Sequence, residues 1–98
     1  MGAFSIERSS PERLVASGDL GFATATEALA AGVRLLDGGA CTIDLAKVTD
    51  SDSAGLAVLI EWLAHARGKG CRLRYENVPS QILAIARISD VQDLLLPP

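Results

Sequence analysis

Ninety-eight residues can close one hydrophobic core but not two, so the chain reads as a single domain over residues 1–98. Hydrophobic residues make up 49% and charged residues 21%, an ordinary globular balance, and with only four aromatics the core must be built from Leu, Ile, Val and Ala. The net charge of −3, with nine basic residues scattered along the chain, argues against nucleic acid as a partner, because neutralising phosphates needs clustered Lys and Arg.

No apolar run approaches the roughly 20 residues that span a bilayer, and the start of the chain lacks a basic segment followed by an apolar one. A cytoplasmic protein without direct membrane insertion is expected.

In chain order, Phe4–Glu7 and Leu14–Ser17 form two short strands, paired antiparallel through the turn Ser9-Ser10-Pro11-Glu12. After Gly18 the pattern becomes helical. Thr24-Ala25-Thr26-Glu27 has the form of a capping box, in which the threonine takes a backbone N–H and the glutamate bonds back to the cap's own N–H. Ala25, Leu29, Gly32, Val33 and Leu36 then recur at helical spacing until Asp37-Gly38-Gly39 ends the helix. Cys41–Leu45 is a mostly apolar strand suited to the buried middle of a sheet. A second helix runs from Ser53 to Lys69, stopped by Gly68 and Gly70, and Cys71–Tyr75 gives a fourth strand with Leu73 inward and Arg72 and Arg74 outward. Pro79-Ser80 opens a third helix carrying Ile82, Ile85 and Ala86, Val91–Leu95 forms a short terminal helix or turn, and Pro97-Pro98 ends the chain. Cys41 and Cys71 each begin a buried strand and read as buried thiols, not as a disulfide or metal pair, since no other Cys or His lies at ligand spacing. The order β-β-α-β-α-β-α predicts an α/β fold in which right-handed crossovers pack the helices on a mixed four-stranded sheet.

Catalysis finds little support. His65 is the sole histidine and lies mid-helix, Gly38-Gly39 lacks the lysine and spacing of a phosphate-binding loop, and no dinucleotide or metal motif occurs. No catalytic residue, no cofactor and no metal is therefore expected. Asp50 and Asp52 read as an acidic loop that caps a helix, not as an acid–base pair.

Function is expected at the turn before the second helix, Asp50-Ser51-Asp52-Ser53-Ala54, where a helix start offers N–H groups with no intrahelical partner. Ser53 is expected to serve both as a cap and as a contact residue. At roughly 100° per residue, Leu56, Leu59, Ile60 and Leu63 share one stripe, assigned to the sheet. Ala54, Val58, Glu61, Trp62 and His65 fall on the opposite side. The sole tryptophan on a wet face, beside Val58 and a polar rim, has the composition of an interface centre. The other reading of Trp62 is that it lies flat against the first or third helix and completes the core.

The pattern Asp-Leu-x-x-Val-x-x-x-Asp-Ser-x-Gly-Leu, from Asp44 to Leu56, resembles the central motif of STAS domains, the family of anti-sigma-factor antagonists and sulfate-transporter tails. It holds residue types over thirteen positions, with strand, loop and helix in the right order. The resemblance implies the STAS fold. It also implies a contact region made of Asp52, Ser53, Ala54, Val58, Glu61, Trp62 and His65. Phosphorylatable members carry a serine immediately before the glycine, where this chain has Ala54, so a phosphorylation switch would have to use Ser53 instead. Ser17-Gly18-Asp19-Leu20, read as a turn after the second strand, and the ending Asp93-Leu94-Leu95-Leu96-Pro97 resemble the branch that serves the bacterial Mla phospholipid-transport system. That branch implies an accessory subunit docked on the cytoplasmic ATPase subunit of an ABC transporter, in a complex with a membrane permease and peripheral to the inner membrane. The alternative within the family is an anti-sigma-factor antagonist that binds a serine-kinase anti-sigma factor.

Overall fold

A computed structural model describes residues 3–36 and 39–96. The elements are β1 (Phe4–Ser10), β2 (Arg13–Leu20), α1 (Ala25–Leu35), β3 (Gly39–Ser51), α2 (Ser53–Gly68), β4 (Cys71–Glu76), α3 (Ser80–Ile88) and a 3₁₀ turn at Gln92–Leu94. They follow the expected order. Asp37 and Gly38, expected to end α1, and Pro97 and Pro98, expected to end the chain, lie outside the described residues.

The sheet order is β1-β2-β3-β4. β1 pairs antiparallel with β2, and β2–β3 and β3–β4 are parallel. Two successive right-handed crossovers in the same direction put α1 and α2 on one face, and α3 packs beside α2. The strands alternate accordingly: Leu14 and Ala16, Cys41, Ile43 and Leu45, and Cys71 and Tyr75 are buried beneath the helices. The buried Tyr75 hydroxyl donates to the Leu59 carbonyl at 2.6 Å and ties β4 to α2.

On the opposite face Arg13 bridges Asp44 at 2.9 Å and Glu76 at 2.8 Å, crossing three strands. Asp44 also accepts from Asn77 Nδ2 and from the Ala46 amide, both at 2.9 Å. These bonds, Asn77 first, hold its carboxyl below the usual carboxylate range.

β3 is longer than expected. It continues past Leu45 to Ser51 because the end of β2 pairs with it, Ser17 opposite Lys47 and Leu20 opposite Ser51. Ser17-Gly18-Asp19-Leu20 is correspondingly not a turn but the last part of β2. The strand accommodates a register shift there, and Gly18 adopts φ +89°, where a side chain would meet the Ala3 carbonyl oxygen at 2.0 Å.

The capping box does not form. The Thr24 hydroxyl donates to the Asp19 carbonyl at 2.8 Å and accepts from the Gly21 amide at 3.1 Å. Thr24's own N–H, the group assigned to Glu27, donates to the Gly21 carbonyl at 3.0 Å. The threonine organises the loop before α1 instead of capping the helix.

The largest correction concerns α2. Val58 and Trp62, placed on the wet face by periodicity, are buried, Trp62 completely so. The buried stripe is Gly55, Val58, Leu59, Trp62 and Ala66, with Leu56 beside it, while Ile60 and Leu63 are half-buried. This stripe is turned by roughly 80° from the expected one. The physical reason is that α2 packs against α1 as well as the sheet, and Trp62 lies in that seam. Its indole N–H donates to the Leu29 carbonyl at 3.3 Å and its ring sits 6.1 Å from that of Phe4. The contact with the first helix, and not the docking surface, is the place of the tryptophan.

Candidate functional site

Asp52 separates β3 from α2 by a single residue and caps the helix. Its Oδ1 accepts from the amides of Ala54 at 2.8 Å and Gly55 at 3.3 Å, and its Oδ2 accepts from the Phe22 amide at 3.0 Å. One carboxylate thus satisfies two orphan donors of α2 and fastens the β2–α1 loop to the helix start. The three N–H donors, Phe22 first, lower the Asp52 pKa from its usual value.

Glycines make the close approach possible. A Cβ on Gly55 would lie 2.2 Å from the Leu20 carbonyl oxygen, a backbone atom that cannot swing aside. A Cβ on Gly21 would lie 2.8 Å from Asp52 Oδ2. Behind the turn the Ser51 side chain is buried, and its hydroxyl donates to Gln81 Oε1 at 3.3 Å, joining the first turn of α3 to the site.

Of the expected contact residues, Asp52, Ser53 and Ala54 lie together at the start of α2, and Glu61 is exposed about two turns along the same helix. Val58 and Trp62 are inside the domain. His65 is half-buried, with its Nε2 enclosed and without a hydrogen-bond partner among the described residues. Ser53 is the first helical residue, not the cap: the cap is Asp52, and the Ser53 hydroxyl points to no partner among the described residues. It is exposed and open to contact.

Phe22 is the residue that sequence reasoning missed. Its amide is bound to Asp52, yet its side chain is 87% exposed. A large apolar ring is thus held out in solvent on a fastened loop beside an exposed helix start. The available signal was its position: it sits between the end of a strand and the threonine before a helix, in neither element's apolar pattern.

Ser53 and His65 are twelve residues apart on one helix, about 18 Å along its axis, far beyond proton-transfer reach. Among the described residues no three His, Cys, Asp or Glu side chains gather to hold a metal ion, and no helix is long and apolar enough to cross a membrane.

The family model described as Mlab, STAS domain, matches residues 5–97. The chain belongs to this family. Its fold is the STAS fold. It is similar to the solved structure of the anti-sigma factor antagonist SpoIIAA in its unphosphorylated form, with a TM-score of 0.71 and 14% identity over 96% of this chain and 86% of that one. It is also similar to a crystal structure of Mglu, with a TM-score of 0.56 and 20% identity over 78% of this chain and 20% of that chain. At these identities the likeness is one of fold alone. No curated protein matches the chain. STAS domains are in general regulatory, protein-binding modules.

Proposed function

We propose that this STAS domain is a non-catalytic accessory subunit of a bacterial ABC-type phospholipid transporter of the Mla system, docked on the cytoplasmic ATPase subunit. The complex would contain a membrane permease and keep the domain peripheral at the inner membrane. What supports the transporter assignment is the Mla-type family match over residues 5–97. The contact surface we propose is Phe22, Asp52, Ser53, Ala54 and Glu61, and the observation that carries it is the 87% exposed Phe22 ring on a loop fastened by Asp52. Ala54 at the position of the usual phosphorylated serine favours a constitutive contact over a phosphorylation switch.

The test is affinity purification of the tagged chain from its native host with partners identified by mass spectrometry. An ABC ATPase and its permease should be recovered, and Phe22→Ala should lose them. Recovery of a serine-kinase anti-sigma factor instead would move the protein to the signalling branch of the family.

A further inference from the structure

Four of the nine basic residues, Arg67, Lys69, Arg72 and Arg74, fall within one stretch, and no Asp or Glu occurs between Trp62 and Tyr75. The basic residues are therefore not scattered, as their spread along the chain suggested. The fold brings three of them around one groove of about 920 Å³, between the second half of α2 and β4. Ile60 and Leu63 from α2 and Leu73 from β4 supply its apolar lining, and Arg67, Arg72 and Arg74 also line it. Among the described residues no acidic one contributes. The volume lies within the roughly 300–1,000 Å³ typical of ligand clefts.

Two further observations narrow the occupant. β4 is an edge strand, so its outer backbone N–H and C=O groups face away from the sheet. The three arginines are exposed, and both ion pairs among the described residues are made by Arg13, so among those residues these guanidinium groups have no acidic partner.

We infer that this groove is a second binding site, which takes an extended acidic and apolar segment of a protein partner as an added strand on β4. Strand addition supplies backbone bonds, alternate apolar side chains enter the groove beside Leu73, and the intervening carboxylates fall on the other face of the added strand, where Arg72 and Arg74 meet them in bidentate pairs, while Arg67 adds positive charge from the helix side. A membrane surface fits less well, because the edge strand's outer N–H and C=O groups need hydrogen-bond partners that an apolar lipid interior does not supply. Nucleic acid fits less well too, since the lining offers no aromatic ring for a base to stack on. The start of α2 and Arg67 are separated by about 21 Å along the helix, so the groove is independent of the Phe22 surface.

The test is an NMR titration of the isotopically labelled full chain with a short peptide of alternating Val and Glu. Shifts should concentrate at Cys71–Tyr75, Ile60, Leu63 and Arg67, and the β4 amides should become slower to exchange. Raising the salt concentration should weaken binding, and Arg72→Glu/Arg74→Glu should weaken it by roughly tenfold or more while leaving the thermal melt in place. Arg67→Glu, on the other element, should weaken it as well. Phe22→Ala should leave it unchanged, which separates this site from the proposed ATPase contact. The inference is overturned if the peptide causes no shifts, if shifts fall elsewhere, or if a Val–Lys peptide binds as well. It is also overturned if the arginines are needed only for binding anionic lipid vesicles.

Discussion

The indole of Trp62 occupies the space that a side chain at Gly32 would need: a Cβ there would lie 2.3 Å from its Cε2 and Nε1 atoms. Glycine in mid-helix costs about 1 kcal/mol relative to alanine, so α1 gives up helix stability to let the ring lie against its backbone. Removing the ring should destabilise the domain by about 3–5 kcal/mol, because Trp62 is fully buried. Gly32→Ala alone should destabilise by about 1–2 kcal/mol, overpacking outweighing the gain in propensity. In the Trp62→Ala background the same change should become neutral or stabilising, since its obstacle is gone. Urea unfolding of the four proteins in this cycle measures the coupling. Equal effects of Gly32→Ala in both backgrounds would show that ring and glycine do not share the seam.

Two hydroxyls near helix starts should behave in opposite ways. Thr24 is buried, and its hydroxyl is bonded to Asp19 and Gly21 backbone atoms. Thr24→Ala should therefore cost about 1–3 kcal/mol by leaving buried polar groups unpaired. Ser53 is exposed at the first helical position, where Asp52 already satisfies the cap. Ser53→Ala should stay within about 0.5 kcal/mol of the parent in chemical unfolding. A large loss from Ser53→Ala would mean that the serine, after all, caps α2.

The order of the elements was legible from sequence because strand alternation, helical spacing and glycine stops are local signals, and they agree with the final order of β1 through α3. The capping box was misread for a tertiary reason: the Thr24 hydroxyl has a better use in a loop that exists only after β2 and α2 have met. The face of α2 was misread for another. Ala54, Ala57, Ala64, Ile60 and Leu63 make the helix apolar nearly all round, so periodicity could not say which side meets a neighbour, and the α1 contact decided it. Gly32, within the apolar stripe of α1, was the one sequence mark of that contact. At the site, Asp52 was legible as a helix-start acid, but its bond to the Phe22 amide joins residues thirty positions apart and leaves no local trace.

Acid should weaken the fold through Asp44 and Asp52. Both carboxyls lie below their ordinary value of 3.8 in the folded chain, held down first by Asn77 and by the Phe22 amide respectively. The unfolded chain then binds more protons than the folded one as pH falls through that value. The contribution is fully present above about pH 4 and is lost as pH drops through the lower folded values. Unfolding free energies measured from neutral pH down to about pH 3 should fall less steeply for Asp44→Asn and Asp52→Asn than for the parent. An acid dependence identical in all three would show that neither carboxylate is selectively stabilised by folding.

Phe22 and Trp62 should separate binding from folding, in the reverse of the order their sequence contexts suggest. Phe22 is 87% exposed and contributes little packing, so Phe22→Ala should melt within about 0.5 kcal/mol of the parent. Its backbone N–H remains, so the bond to Asp52 and the geometry of the loop should persist. If the ring is the anchor for the ATPase subunit, its loss should weaken the complex by about 2 kcal/mol or more. Trp62→Ala should do the opposite: it melts early, yet the fraction that remains folded at low temperature binds with near-parental affinity, because the indole lies on the α1 side of α2 and away from the partner. Thermal melts paired with titration calorimetry against the purified ATPase decide the matter. Unchanged affinity in Phe22→Ala would remove the loop from the docking surface and leave Asp52, Ser53, Ala54 and Glu61 to account for it.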